Sequence, residues 1–285
     1  MPAKRSKPSD NDQPTYTHWL IKAEPDSRIE KGIDVKFSID DLEEQKTSTW
    51  EGVRNHEAKK FLKLRMKVGH LCLFYASNCK VPGVSGIAKV CKEGYPDHNA
   101  WDPKHPYHDP KSKKDDPTWY MVDVEFVQKL PHLVPLSLLQ VLSSSSPSSL
   151  PPSLQYLTSS AIASISTSPL LTRGRLSVQP ASEEFFETVR SMGEKGGWVE
   201  GEGKEWFDTA VKDKKKGGKV AKKTSEVKEV EREGEGKSKG KGQVTKKAEQ
   251  DTGEEDEEDE EKVGGEGKGE EEDSGKRRSK RAKKA

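Results

Sequence analysis

Six consecutive residues, Trp50-Glu51-Gly52-Val53-Arg54-Asn55, bring together more chemistry than any other stretch of this sequence. An indole can wall a slot, a glycine lets the backbone approach whatever enters it, and a guanidinium can stack on a ring or grip an anion. A flat surface, fixed donors and acceptors, and a cation are what a protein needs to hold an unstacked heterocycle and its phosphate. Each residue also has a plainer use. Trp50 can fill a core, and Asn55 can cap a helix that starts behind it.

A second set follows an apolar run. Tyr75-Ala76-Ser77-Asn78 leaves a buried segment with a hydroxyl and an amide, which supply both a donor and an acceptor. Asn78 would equally suit a turn ahead of Pro82-Gly83. Lys22 and Glu24 leave the first apolar run as a charged pair; a structural ion pair between them is the expectation, with Glu24 receiving an exocyclic amine as the alternative. Tyr107, Asp109, Pro110 and Lys111 lie in a long Pro-, Asp- and His-rich loop, 92–118, that could close over a ligand, and Trp119 opens the next strand as either core or cage. In the same loop Asp97, His98, Asp102, His105, His108 and Asp109 crowd together. They form no HExxH or other fixed ligand pair, so no metal and no cofactor is expected. Cys72, Cys79 and Cys91 have no CxxC spacing and read as small apolar residues of a reducing compartment. No nucleophile–base spacing points to catalysis.

These side chains need elements to carry them. His18 to Ala23 and Leu71 to Tyr75 are short, apolar and rich in strand formers, and read as buried strands. Pro82 to Val90 continues as a strand whose glycines allow a bend. Trp119 to Phe126 alternates, with Tyr120, Val122, Val124 and Phe126 on one face and Asp123 and Glu125 on the other, as in an antiparallel sheet. Ser38 caps a helix with Asp41 at its third position, and Asn55 to Met66 forms another with Ala58, Phe61, Leu62 and Arg65 on one side. Ser182 to Met192 is a last helix, stopped by Gly193.

Composition limits how much of the chain can fold around them. Of 285 residues, 35% are charged and 30% hydrophobic, and mean hydropathy is −0.97. An ordinary domain is roughly 45–50% apolar. The last 78 residues contain no aromatic side chain and carry 23 Lys and Arg against 22 Asp and Glu. The expected organisation is a polar, basic leader at 1–14, a domain at 15–193, and a disordered Lys/Glu-rich tail at 194–285. Residues 143–168, a Ser/Pro/Leu stretch without a period of either kind, read as a linker or an inserted loop. Basic runs at Lys4, Arg5 and Lys7, and at Lys276, Arg277, Arg278, Lys280, Arg281, Lys283 and Lys284, suit nuclear localisation or nucleic-acid contact. No apolar run is long enough to span a bilayer, and the N-terminus has no signal-peptide core.

The motifs WLIKAEPDSR, TSTWEGVRNHEAKKFL, FYASNCKVPGVSGIAKV, YPD, YHDPKS and PTWYMVDVEF, with TRGRLSVQP near 172–180, resemble the EVE domain in type and order. The resemblance implies an α+β, PUA-like fold: a small, strongly bent β-barrel with helices around it. It also implies a non-catalytic pocket at the barrel mouth for one nucleobase, with 5-methylcytosine and its oxidised forms as proposed ligands. On that footing the base-binding residues are expected among Lys22, Trp50, Gly52, Val53, Arg54, Asn55, Tyr75, Ser77, Asn78, Tyr107, Asp109 and Trp119, with Trp50 favoured for a pocket role and Asn55 undecided. The expected partner is DNA or RNA carrying a modified base, bound by a monomeric nuclear domain, with chromatin partners for the charged tail and no membrane. An RNA-binding module and an enzyme acting on modified nucleotides are the alternatives. Residues 143–168 depart from the family pattern, which has a helix there.

Overall fold

The computed structural model describes residues 15–214. The expected leader and both basic runs lie outside the described residues, as does the tail beyond 214.

From residue 18 to 195 the strands and α-helices follow in the order β1 (His18–Ala23), β2 (Ile29–Glu30), β3 (Ile33–Asp34), α1 (Ile39–Gln45), β4 (Thr47–Trp50), α2 (His56–Lys60), β5 (Leu71–Ala76), β6 (Gly83–Pro96), β7 (Tyr120–Pro135), α3 (Leu136–Leu142), α4 (Ser159–Ser166), α5 (Pro169–Thr172), β8 (Val178–Ala181) and α6 (Glu183–Lys195). Six strands form one sheet in the order β4-β7-β6-β5-β1-β8, and β2 and β3 form a separate ribbon. β1 runs parallel to β5 and antiparallel to β8. The β6–β7 pair is long and changes register at four places, and each irregularity bends and twists the ribbon.

Both faces of the central strands are covered, which is why their sequences are apolar almost without break. Leu20 and Leu73 point into one cluster, with Val134, Leu138, Phe186 and Val189. Trp19, Ile21, Cys72 and Phe74, offset by one residue, point into the other, with Leu42, Trp50, Leu62 and Val122. The Ser38 cap is present with its reciprocal Asp41 contact. Asn55 Oδ1 accepts from the amides of Glu57 and Ala58 at 2.9 and 3.1 Å. The helix expected from Asn55 to Met66 is α-helical only to Lys60 and continues as a π-helical turn, Phe61–Arg65, that still buries Leu62.

Three expectations change. Residues 143–168 are folded: after α3 the chain makes two single-turn helices and then α4, and Leu150, Leu154, Leu157, Ile162 and Ile165 are buried in the first cluster. The serines that masked this pattern bond locally. Thr158 caps α4, and Ser164 and Ser166 donate to Ala161 O and Ile162 O. Second, α6 does not stop at Gly193 but runs to Lys195. Gly193 sits where Leu130 packs against the helix, and a Cβ there would lie 2.5 Å from Leu130 Cδ1. Third, order continues past 193. Trp198 is buried, and a helix over 201–214 lays Trp206 and Phe207 on the first cluster.

Candidate functional site

The parallel strands β1 and β5 end side by side at Ala23 and Ala76, and the chain beyond them opens into a cleft of about 720 Å³. Its walls come from five places: the ends of β1 and β5, the segment 33–37, the end of β4 with Glu51 to Val53, the His105–Tyr107 turn, and the Gly174–Ser177 turn before β8. The lining draws on both core clusters, with Tyr75 from one and Trp50 and Val53 from the other.

Eight of the twelve residues expected from the sequence line this cleft: Lys22, Trp50, Gly52, Val53, Tyr75, Ser77, Asn78 and Tyr107. Trp50 does two jobs. Only 6% of its surface is exposed, and its ring meets Phe74 and Phe37 edge-on at 5.6 and 6.2 Å, so it is core on one side and cleft wall on the other. Tyr75 is 3% exposed, and burial pushes its hydroxyl up to about 12. The Ser77 hydroxyl donates to Ala23 O at 2.9 Å, which leaves its lone pairs for another donor. Asn78 has φ +51° and donates to Glu24 Oε2 at 3.3 Å.

Gly52 is positioned by what surrounds it. Its φ is +74°, and a Cβ would lie 2.5 Å from the Tyr107 ring, so the ring rests directly on the backbone. Its amide donates to Asp97 Oδ2 at 3.1 Å. Asp97 has no exposed surface, yet it also accepts from Arg54 Nη1 at 2.7 Å and from the Asn99 amide at 3.1 Å. Arg54 in turn donates Nε to Tyr107 O at 2.9 Å. Asp97 and Arg54 thus pin the Trp50–Arg54 segment to the loop that carries Tyr107. In the sequence Asp97 stood only among the crowded His and Asp residues, and YPD was a resemblance motif without a role; no local pattern marks it as a buried acceptor.

Four expected site residues lie elsewhere. Arg54 is spent on Asp97 and Tyr107 O. Asn55 is a helix cap, which decides its two readings. Trp119 is buried, donates Nε1 to Asp109 Oδ2 at 2.6 Å, and is flanked by His56, Arg54 and Lys59. Asp109 is occupied by the same bond, which holds its carboxyl below the usual carboxylate range. The expected Lys22–Glu24 ion pair is also replaced: Glu24 pairs with Arg28 at 2.7 Å, while Lys22 Nζ donates to Gly174 O at 2.7 Å and sits 5.4 Å from the Tyr75 ring centre. Of the crowded loop residues, Asp97, Asp102, His105 and Asp109 bond protein groups, with His105 Nε2 3.2 Å from Glu51 Oε1. Phe37, Arg28 and Arg175 line the cleft without having been expected there.

Known proteins resemble this chain in sequence and fold. Thymocyte nuclear protein 1 of Gallus gallus is 44% identical over 198 residues, covering 67% of this chain and 76% of that protein. The Homo sapiens protein of the same name is 44% identical over 181 residues, covering 63% of this chain and 75% of its own length. A crystal structure of the human THYN1 protein in complex with DNA containing 5-methylcytosine covers 62% of this chain and 98% of that chain, at 44% identity and a TM-score of 0.54. The bent mixed sheet with its helices is accordingly PUA-like, and residues 17–192 match the EVE domain family. With that match spanning most of its length, the chain belongs to the EVE domain family.

Proposed function

We propose that this protein is a nuclear reader of a modified nucleobase, 5-methylcytosine or one of its oxidised forms, held in the cleft at the ends of β1 and β5 without turnover. The observation that carries the reading is the lining of that cleft. Trp50, Phe37, Tyr75 and Tyr107 supply flat surfaces beside the Ser77 hydroxyl, the Asn78 amide and the Gly52 backbone. Its volume falls in the range of roughly 300–1,000 Å³ typical of small-ligand sites, room for one nucleotide and too small for a stacked duplex. A base in duplex DNA must therefore flip out, at a cost of a few kcal/mol. The human relative bound to 5-methylcytosine DNA supports both the ligand and DNA as its carrier. The name shared by the vertebrate relatives supports the nucleus. The charged tail is proposed to engage chromatin partners.

A methyl group in an apolar niche is worth about 1–3 kcal/mol, or roughly 10–200-fold. Oligonucleotides carrying one plain, methylated or oxidised cytosine should therefore differ by at least about tenfold in affinity. Tyr107→Ala should abolish the difference while sparing the core that Trp50 helps to fill. Equal affinity across the panel rejects the proposal. Tighter binding of unmodified single-stranded RNA would replace it with an RNA-binding module, and product in a single-turnover assay would replace it with an enzyme.

A further inference from the structure

The cations around the cleft are unevenly matched. Arg28 is neutralised by Glu24 and Glu30. Lys36 has Asp41 at 3.7 Å. On the opposite wall, formed by β1 and the turn before β8, two positive charges face the cleft without a carboxylate. Lys22 is half-buried, and among the described residues its ammonium meets only Gly174 O and the face of Tyr75. A lysine carries three N–H donors, so at least one is free to point into the cleft. Arg175 is exposed, lines the cleft, and has no hydrogen-bond or ion-pair partner among the described residues.

Arg175 stands on a turn that is fixed at several points. Arg173 forks onto Glu57. Gln179 Nε2 donates to Arg173 O at 3.0 Å and to Leu176 O at 2.9 Å. Lys22 bonds this turn twice, its backbone amide to Ser177 O at 3.0 Å and its side chain to Gly174 O. A half-buried cation without a counter-charge is an unfavourable arrangement unless an anion completes it. Burial lowers the Lys22 pKa, in keeping with that unmet demand. We infer that Lys22 and Arg175 form a phosphate-binding wall, which takes the phosphate next to the base held between Trp50, Tyr75 and Tyr107.

This inference rests on the base-holding reading of the cleft and adds the group that orients the strand across it. The wall sets direction, because the opposite rim, where Arg28 is already paired, offers a phosphate no comparable attraction. Lys22 thereby contacts the backbone of the nucleic acid and not the edge of the base.

The test is the salt dependence of binding to a single-stranded oligonucleotide with one 5-methylcytosine. Each phosphate contact contributes about −0.7 to the slope of log K against log salt on a single strand. The double variant Lys22→Gln/Arg175→Gln is expected to make the slope shallower by about 0.7, and Arg175→Gln alone by a measurable part of that. Arg175→Gln should weaken methylated and plain oligonucleotides by the same factor. A neutral methylphosphonate placed next to the modified base should weaken binding to the unaltered protein, and weaken binding to Arg175→Gln by a smaller factor, since only Lys22 is left to contact that phosphate. An unchanged slope in Arg175→Gln, or full additivity of methylphosphonate and substitution, overturns the inference. Arg175 is exposed, so this variant keeps the test valid should Lys22→Gln disturb the fold. Failure of the base reading is seen separately, as equal affinity of the unaltered protein for methylated and plain strands.

Discussion

Replacing Asp97 by Asn tests how the cleft is held. The Asp97 carboxylate is wholly buried and accepts three hydrogen bonds, from Arg54 Nη1, the Gly52 amide and the Asn99 amide. An asparagine of the same shape keeps one accepting oxygen and turns an NH₂ group towards donors, leaving the Arg54 guanidinium without its counter-charge. Breaking a fully buried pair costs about 3–5 kcal/mol. Arg54 retains 22% of its side-chain exposure, so water recovers part of that, and about 2–3 kcal/mol is expected. For a folded unit of this size each kcal/mol lowers Tm by roughly 2–4 °C, so Asp97→Asn should melt about 5–10 °C earlier by circular dichroism. It should also weaken discrimination of the methylated oligonucleotide, because Gly52 and Tyr107 lose their common anchor. Combining it with Arg54→Met should recover part of the loss, since the double variant buries no unpaired charge. A Tm within 2 °C of the original, with discrimination intact, would refute the anchoring role.

Gly52→Ala forces a side chain into a left-handed backbone position, costing about 1–2 kcal/mol, and drives Tyr107 off the backbone. Oligonucleotide affinity should fall about tenfold while the fold survives, as read by titration and melting together. Leu154→Ala should destabilise by about 2–5 kcal/mol, measured by urea unfolding, since Leu154 is wholly buried in the serine-rich segment. Tyr75 gives the pH prediction. Burial raises its folded-state value to about 12, above the ordinary value near 10. The folded protein therefore keeps a proton that the unfolded chain releases, and the stability this confers is intact below about pH 10 and lost as pH rises towards 12. The urea midpoint should fall over that window, and less steeply in Tyr75→Phe.

The central strands were legible because burial on both faces leaves an apolar run that only a short strand can use. The caps at Ser38 and Asn55 were legible because capping depends on a few adjacent residues. The Leu residues of 143–168 were not, since they fall in single-turn helices and a short α-helix, too brief to set up a period, and serine hydroxyls satisfying nearby carbonyls look like polar linker. Strand β4 was missed for the same reason of length. In the cleft, residues at the ends of β1 and β5 were found because strand ends point to a mouth, and Trp50 and Gly52 because an indole, a glycine and a guanidinium stand together within six residues. Arg54 and Asp109 were expected in the cleft and bond protein groups beside it, because a charge looks alike in sequence whether it faces ligand or a neighbour 43 or 10 residues away. Asp97 acts through partners far along the chain, and Arg175 reaches the cleft because β8 docks on β1; local spacing encodes neither.

The strand order has a consequence for synthesis. β8 docks on β1, closing a loop of more than 150 residues, and the turn just before it forms one side of the cleft. A nascent polypeptide still lacking that final strand has most of its sheet but no finished mouth. On the proposed reading, competence to capture a ligand therefore waits until residues 178–181 have been made and paired, and a truncated product ending before Val178 would be deprived of it however well the rest had collapsed.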